Sequence, residues 1–129
     1  MAKKLLIVDD EPNIVAALEY LLNRSGYEVR IATNGDEALR QVEIFGPDLV
    51  LLDVMLPRKS GYEVCQRIRE RPDWSRIRIM ILSAKGRDAE VNKGLALGAD
   101  AYVTKPFSNS ELVARIGQLL GEEKPKEGA

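Results

Sequence analysis

Three short runs of uninterrupted apolar residues constrain this chain most. They are Leu5-Leu6-Ile7-Val8, Leu49-Val50-Leu51-Leu52 and Ile79-Met80-Ile81-Leu82, and each ends on a polar side chain: Asp9, Asp53 and Ser83. A strand with one face in water alternates apolar and polar residues. A run that is apolar at every position is covered on both faces, which is the pattern of central strands in a parallel sheet packed between helices. Pro57 follows the second run closely and forbids its ladder from continuing. A carboxylate such as Asp53 at the end of a central buried strand needs a reason, because an unpaired buried charge is costly.

Helical spacing separates the runs. Pro12 suits a first helical turn, Ile14, Leu18, Leu21 and Leu22 follow a 3.6 period, and Gly26 is a stop signal. Tyr27 to Ala32 alternates instead, with Val29 and Ile31 set against Glu28 and Arg30, so it reads as an edge strand. Asn34 with Glu37, Ser60 with Glu63 and Ser108 with Glu111 have the spacing of capping boxes that open three further helices. Gly46-Pro47 closes the first of these and Arg71-Pro72 the second. Asp88 is a candidate cap for a helix carrying Val91 and Leu95, which Gly94 weakens by about 1 kcal/mol relative to Ala. Ala101-Tyr102-Val103 is a short fifth strand ending at Thr104-Lys105-Pro106, and the last helix carries Leu112, Ile116, Leu119 and Leu120.

Strand and helix therefore alternate five times. That pattern predicts an α/β fold: a doubly wound, five-stranded parallel sheet with five helices and right-handed crossovers. The three fully apolar runs belong in the middle and the alternating and short ones at the edges, which is the flavodoxin-like order 2-1-3-4-5. One domain over residues 1–121 is expected, followed by a polar, aperiodic tail or linker stub over residues 122–129.

The totals narrow the chemistry. With 129 residues, 45 % of them hydrophobic, the chain is long enough for one well-packed core. The net charge of −1 argues against direct nucleic-acid binding, which usually needs a basic surplus. There is no histidine, which removes Ser-His-Asp and Cys-His catalysis and the commonest zinc ligand. Cys65 is the single cysteine and fits a reducing compartment. No apolar run approaches a membrane span or a signal-peptide core, so a soluble, cytoplasmic protein with no membrane association is expected.

In an open parallel sheet, ligands bind at the carboxyl ends of the strands. Four strands deliver chemistry there: Asp9 and Asp10, Asp53, Ser83 and Lys105. Each has a bland alternative. Asp9 and Asp10 suit a helix cap, Ser83 a turn, Lys105 a solvated surface and Tyr102 an amphipathic edge. Their conjunction on one edge is what carries weight. Three close carboxylates repel one another, and Mg²⁺ relieves that repulsion through oxygen ligands. Asp10 and Asp53 are the expected direct ligands, the Met55 carbonyl a third, and Asp9 acts through water. Asp53 is then the expected nucleophile towards phosphorus, with Lys105 and Ser83 pairing the phosphoryl oxygens.

These motifs resemble the receiver domain of bacterial two-component response regulators over about Lys3 to Leu120. The residues that carry the resemblance are Leu6-Ile7-Val8-Asp9-Asp10-Glu11, Leu51-Leu52-Asp53-Val54-Met55-Leu56-Pro57 and Ile81-Leu82-Ser83-Ala84. Gly98-Ala99-Asp100-Ala101-Tyr102 and Thr104-Lys105-Pro106-Phe107 complete the set. The resemblance implies phosphorylation of Asp53 by a sensor histidine kinase with Mg²⁺ required. It also implies metal organisation by Asp9 and Asp10, a switch made of Ser83 and Tyr102, and a cis Lys105-Pro106 bond. An unnamed downstream output partner or effector domain is expected, and no enzymatic turnover beyond self-catalysed phosphotransfer and slow autodephosphorylation. Ala96 and Ala101 stand where the winged-helix subfamily usually places acids that pair across a dimer, so a monomer or weak dimer is expected.

Two rival classes fit less well. A haloacid-dehalogenase-like phosphatase needs Asp-x-Asp after the first strand, whereas Asp9 and Asp10 are adjacent and the best nucleophile follows the third. A flavodoxin needs a Ser, Thr and Gly-rich phosphate loop after the first strand, where Asp9-Asp10-Glu11 would repel the FMN phosphate.

Overall fold

A computed structural model of the chain describes residues 2–57, 59–84 and 88–121. Its five strands are β1 (Lys4–Val8), β2 (Glu28–Ala32), β3 (Leu49–Asp53), β4 (Arg78–Ser83) and β5 (Ala101–Thr104). All neighbours pair in parallel, in the order β2-β1-β3-β4-β5. The helices are α1 (Pro12–Arg24), α2 (Gly35–Phe45), α3 (Gly61–Arg69), α4 (Asp88–Ala96) and α5 (Asn109–Leu119). The three fully apolar runs occupy the centre, as their double burial requires. The alternating β2 lies at one edge and pairs only with β1.

Successive strand residues face opposite sides, so each central strand feeds two cores. Leu6, Val8, Val50, Leu52, Ile79 and Ile81 pack under α2 and α3. Leu5, Ile7, Leu49, Leu51, Met80 and Leu82 pack under α1 and α5. Burying each such side chain stabilises the fold by about 1.5–3 kcal/mol, which is why this sheet holds its register firmly enough to aim polar groups at its edge.

The helix signals are met, with adjustments. Asn34, Ser60 and Ser108 each accept a hydrogen bond from the backbone three residues on, at 2.8, 3.2 and 3.3 Å. Glu37 returns an oxygen to the Thr33 N–H at 3.0 Å, one residue before the cap. Glu63 instead faces Arg67 one turn along α3, at 3.8 Å. Asp88 is the first residue of α4 rather than its cap, so its charge meets the helix N-terminus from inside the first turn. A 3-10 turn at Pro72–Trp74 lies between α3 and β4, too short to leave a periodic signature.

One polar knot binds the end of α3 to the start of β4 and β5. Asp100 Oδ2 accepts from the Ile79 N–H at 2.8 Å and from Arg69 Nη2 at 2.7 Å, and its Oδ1 faces Arg78 Nη1 at 3.6 Å. Arg69 Nε also donates to the Gly98 carbonyl at 2.8 Å.

Trp74 precedes β4 and so sits where the strands begin, while Asp53 ends β3. Five residues of strand separate these levels by roughly 15 Å. The single tryptophan should therefore change its fluorescence little when Mg²⁺ is titrated to saturation. Strong quenching would place the ion away from the carboxyl ends of the strands.

Candidate functional site

Register brings the polar strand ends together. Val8 pairs with Leu52, so Asp9 stands level with Asp53 on the neighbouring strand. Asp53 pairs with Leu82, which puts Ser83 one residue further along. Ser83 pairs with Thr104, and Lys105 follows. The Lys105 N–H donates to the Ser83 carbonyl at 2.8 Å, extending the ladder one step past the end of β5. The Lys105–Pro106 peptide is cis, as the resemblance implies.

Asp9 and Asp53 are buried, at 2 % and 5 % exposure, and Ser83 is fully buried, whereas Asp10 is exposed. Carboxylate oxygens of Asp9, Asp10 and Asp53 lie within 4.8 Å of one another. Asp9 Oδ1 accepts from the Glu11 N–H at 3.0 Å, and its Oδ2 from Lys105 Nζ at 3.1 Å. The first contact is an Asx turn that leads the chain into α1, whose cap position is Glu11. Asp9 thus performs part of the local role that its residue type suggests, while its second oxygen stays in the site. Asp53 Oδ1 accepts from the Met55 N–H at 3.2 Å, and its Oδ2 lies 3.6 Å from Lys105 Nζ. Lys105 also reaches Glu11 Oε1 at 3.4 Å.

The charges disagree with their surroundings in an informative way. Burial pushes the Asp53 carboxyl above the ordinary carboxylate value; Asp9 and Asp10 add to this, while the Met55 N–H and Lys105 oppose it. For Lys105, burial alone would lower the ammonium, but Asp9, Asp53 and Glu11 together outweigh it and hold it above its usual value. Hard oxygen donors, two of them buried and mutually repelling, form a set suited to a small divalent cation.

Ser83 stands two residues beyond Ile81, and Ile81 pairs with Tyr102. Alternation therefore turns Ser83 and Tyr102 towards the same face of the sheet, the one covered by α3 and α4. The exposed Met55 side chain lies beside the cluster, at 60 % exposure. A water attacking along the line of an Asp53–phosphorus bond would approach between position 55, two residues after Asp53, and position 85, two after Ser83; Lys85 at the second lies outside the described residues, as do residues 122–129. Two contributors escaped the sequence reading. Glu11 shares Lys105 with the two aspartates. Gly61 donates its N–H to the Val54 carbonyl at 2.9 Å, and a Cβ there would fall on the Asp53 carbonyl oxygen. The only signal for Gly61 was a glycine directly after a cap, where any good helix former would serve.

Residues 5–117 match the family described as the response regulator receiver domain. The chain belongs to that family. This receiver domain is 48 % identical over 93 % of its length to the alkaline phosphatase synthesis transcriptional regulatory protein PhoP of Bacillus subtilis strain 168. It is 44 % identical over 98 % of its length to the phosphate regulon transcriptional regulatory protein PhoB of Rhizobium meliloti strain 1021. The chain spans about half the length of these curated relatives, 49 % and 56 %. Its fold is also that of a response regulator structure from Chloroflexus aurantiacus J-10-fl, with a TM-score of 0.90, 39 % identity, and 95 % and 100 % of the two chains covered. Among the described residues, no helix is long and apolar enough to cross a membrane.

The raised Asp53 pKa has a definite consequence for stability. Between the ordinary value of 3.8 and the raised one, the folded chain binds more protons than the unfolded chain, so stability falls as pH rises through that window. The loss is complete above it. Asp53→Asn should therefore melt at a higher temperature than wild type in metal-free buffer at neutral pH, and the difference should vanish well below pH 3.8. Thermal melts at the two pH values check this; an Asn variant no more stable at neutral pH would contradict it.

Proposed function

We propose that this receiver domain is a phosphorylation-activated switch whose phosphoacceptor is Asp53. The observation that carries this reading is the buried Asp53 carboxylate at the end of the central strand, flanked by two more carboxylates and an ammonium. An Asp53 oxygen bonds to the phosphorus of a sensor kinase's phosphohistidine. The phosphorus–nitrogen bond breaks, and the ring nitrogen keeps the electron pair. Asp10 and Asp53 would hold Mg²⁺ directly with the Met55 carbonyl, and Asp9 through water. That division agrees with Asp9 having both oxygens already engaged by the protein. Bound Mg²⁺ supplies charge neutralisation for the carboxylates and the incoming phosphoryl oxygens. Lys105 pairs with one phosphoryl oxygen, and Ser83 donates to another.

The switch is a population shift. Drawing Ser83 towards the phosphoryl group opens space on the face it shares with Tyr102. A change of Tyr102 rotamer then alters the surface made by α4, β5 and α5. Phosphorylation moves this equilibrium only by its differential interaction with the two states. The kinase is the upstream partner, and the output is an effector domain or a separate protein. The receiver itself contacts neither nucleic acid nor membrane and works in the cytoplasm. A monomer or weak dimer is favoured because Ala96 and Ala101 offer a partner no carboxylates, while Lys93 lies over Tyr62 and Asp100 is taken by Arg69 and Arg78 within the chain.

Phosphotransfer from a histidine kinase, or beryllofluoride binding, tests the assignment. Wild type should take up the group in the presence of Mg²⁺ and Asp53→Ala should not; equal uptake would remove Asp53 from its role. Asp10→Asn should weaken Mg²⁺ binding more than Asp9→Asn, and equal affinity in all three proteins would overturn the ligand assignment.

The lifetime of the phosphorylated state follows from Met55. Hydrolysis needs a water held in line with the Asp53–phosphorus bond. A thioether has no hydrogen to donate and accepts poorly, so Met55 orients water badly. Intrinsic dephosphorylation should be slow, and Met55→Asn should speed it several-fold. Decay of labelled protein after kinase removal, in excess Mg²⁺, measures both; identical decay would show that another group places the water.

A further inference from the structure

Helix α4 is seated differently from the others. α1 buries Leu18 and Leu22, α3 Val64, Cys65 and Ile68, and α5 Leu112 and Ile116, but α4 buries only Gly94. A Cβ at Gly94 would lie 2.9 Å from Ile81 Cδ1 and 3.0 Å from the Tyr102 ring. Glycine lets α4 lie close against the sheet, yet it supplies no side chain to anchor the helix there. Leu95 on the same helix is 44 % exposed. The apolar burial that fixes the other helices, about 1.5–3 kcal/mol for each large side chain, is largely missing.

A polar contact from α3 takes its place. The buried Tyr62 hydroxyl donates to Glu90 Oε1 at 2.6 Å. Lys93 Nζ stands 4.5 Å from the centre of the Tyr62 ring. Glu90 and Lys93 are three residues apart, so both project from one face of α4 onto the same tyrosine. The Tyr102 side chain stands beside the same hydroxyl. Burial, and then the Glu90 hydrogen bond and the neighbouring Tyr102, hold the Tyr62 hydroxyl protonated far above the usual phenol range. The phenol is therefore a donor at neutral pH.

Tyr62 is itself fixed to the acceptor loop. It follows Gly61, whose N–H is bonded to the Val54 carbonyl and whose Cα lies against the Asp53 carbonyl. We propose that Tyr62 is a clasp that seats α4 against α3 and thereby brakes the switch. The clasp rests on contacts seen in the structure; the brake rests in addition on the function proposed for Asp53 and Ser83. At 2.6 Å the Tyr62–Glu90 bond is at the short end for an O–H···O contact. Displacing the first turn of α4 relative to α3 must stretch or break it. A state in which α4 has moved is thus disfavoured by the strength of this one bond.

Amide hydrogen exchange on the whole chain tests the clasp. Tyr62→Phe keeps the ring, its packing and the Lys93 contact, and removes only the hydroxyl. Hydrogen bonds to charged groups are worth enough that exchange across residues 88–96 should accelerate about tenfold to a hundredfold. Exchange in α1 and α5 should not change. Glu90→Gln, which weakens the acceptor instead of removing the donor, should accelerate the same segment by less. Unchanged α4 exchange in both variants overturns the clasp. The brake is read separately, from the affinity for beryllofluoride with Mg²⁺. Tyr62→Phe should bind it several-fold more tightly than wild type; equal or weaker binding alongside faster α4 exchange overturns the brake. Failure of wild type to bind beryllofluoride at all would overturn the function proposed for Asp53 and the brake with it, while the exchange result still judges the clasp.

Discussion

Lys105 holds together an acidic edge that would otherwise push itself apart. Its ammonium lies between Asp9, Glu11 and Asp53, at 3.1, 3.4 and 3.6 Å. Three strands and the turn before α1 meet at that one cation. Its placement depends on backbone as much as on charge, because the Lys105 N–H is bonded to the Ser83 carbonyl. The balance remains incomplete: burial and the neighbouring carboxylates still hold the Asp53 carboxyl above its ordinary value. A site left in that condition has a standing affinity for added positive charge.

The sheet makes such an arrangement tolerable. Central strands buried on both faces fix register by apolar packing, and a slip of one residue would exchange the two cores. Asp9 stays level with Asp53, and Ser83 with Thr104, because Val8, Leu52 and Leu82 cannot move to the other side of the sheet. The energy that sets the site geometry is therefore spread over the two cores, well away from the charges it positions.

Against that rigid frame α4 stands out. It has a glycine where its neighbours have Leu, Ile or Val, and it is held by a tyrosine, a carboxylate and an ammonium. Polar clasps are directional and can be made or broken by small displacements, whereas apolar burial changes gradually with area. Asp100 shows the contrast. Tied to Arg69, Arg78 and the Ile79 N–H, it locks the far end of α3 to the sheet.

Much was legible in the sequence because periodicity is local. Apolar runs of period one marked β1, β3 and β4, alternation marked β2 as an edge, and each helix start but that of α4 carried a readable cap or proline. Convergence of Asp9, Asp10, Asp53, Ser83 and Lys105 followed from strand order alone, since every parallel strand points its carboxyl end to the same edge. What only the tertiary structure decided were contacts between distant residues whose types are individually ordinary. Tyr62 with Glu90 is one case, Asp100 with Arg69 another, Gly61 against the Asp53 carbonyl a third. Asp88 as first helical residue instead of cap belongs with them. Lys105 makes the point most sharply. The strand pattern places it in the site, yet its shortest contact is with Asp9 and not with Asp53. Strand periods specify which face and which edge a side chain occupies. Which partner it meets there depends on ångström-scale offsets between packed elements, and those are settled by the whole core at once.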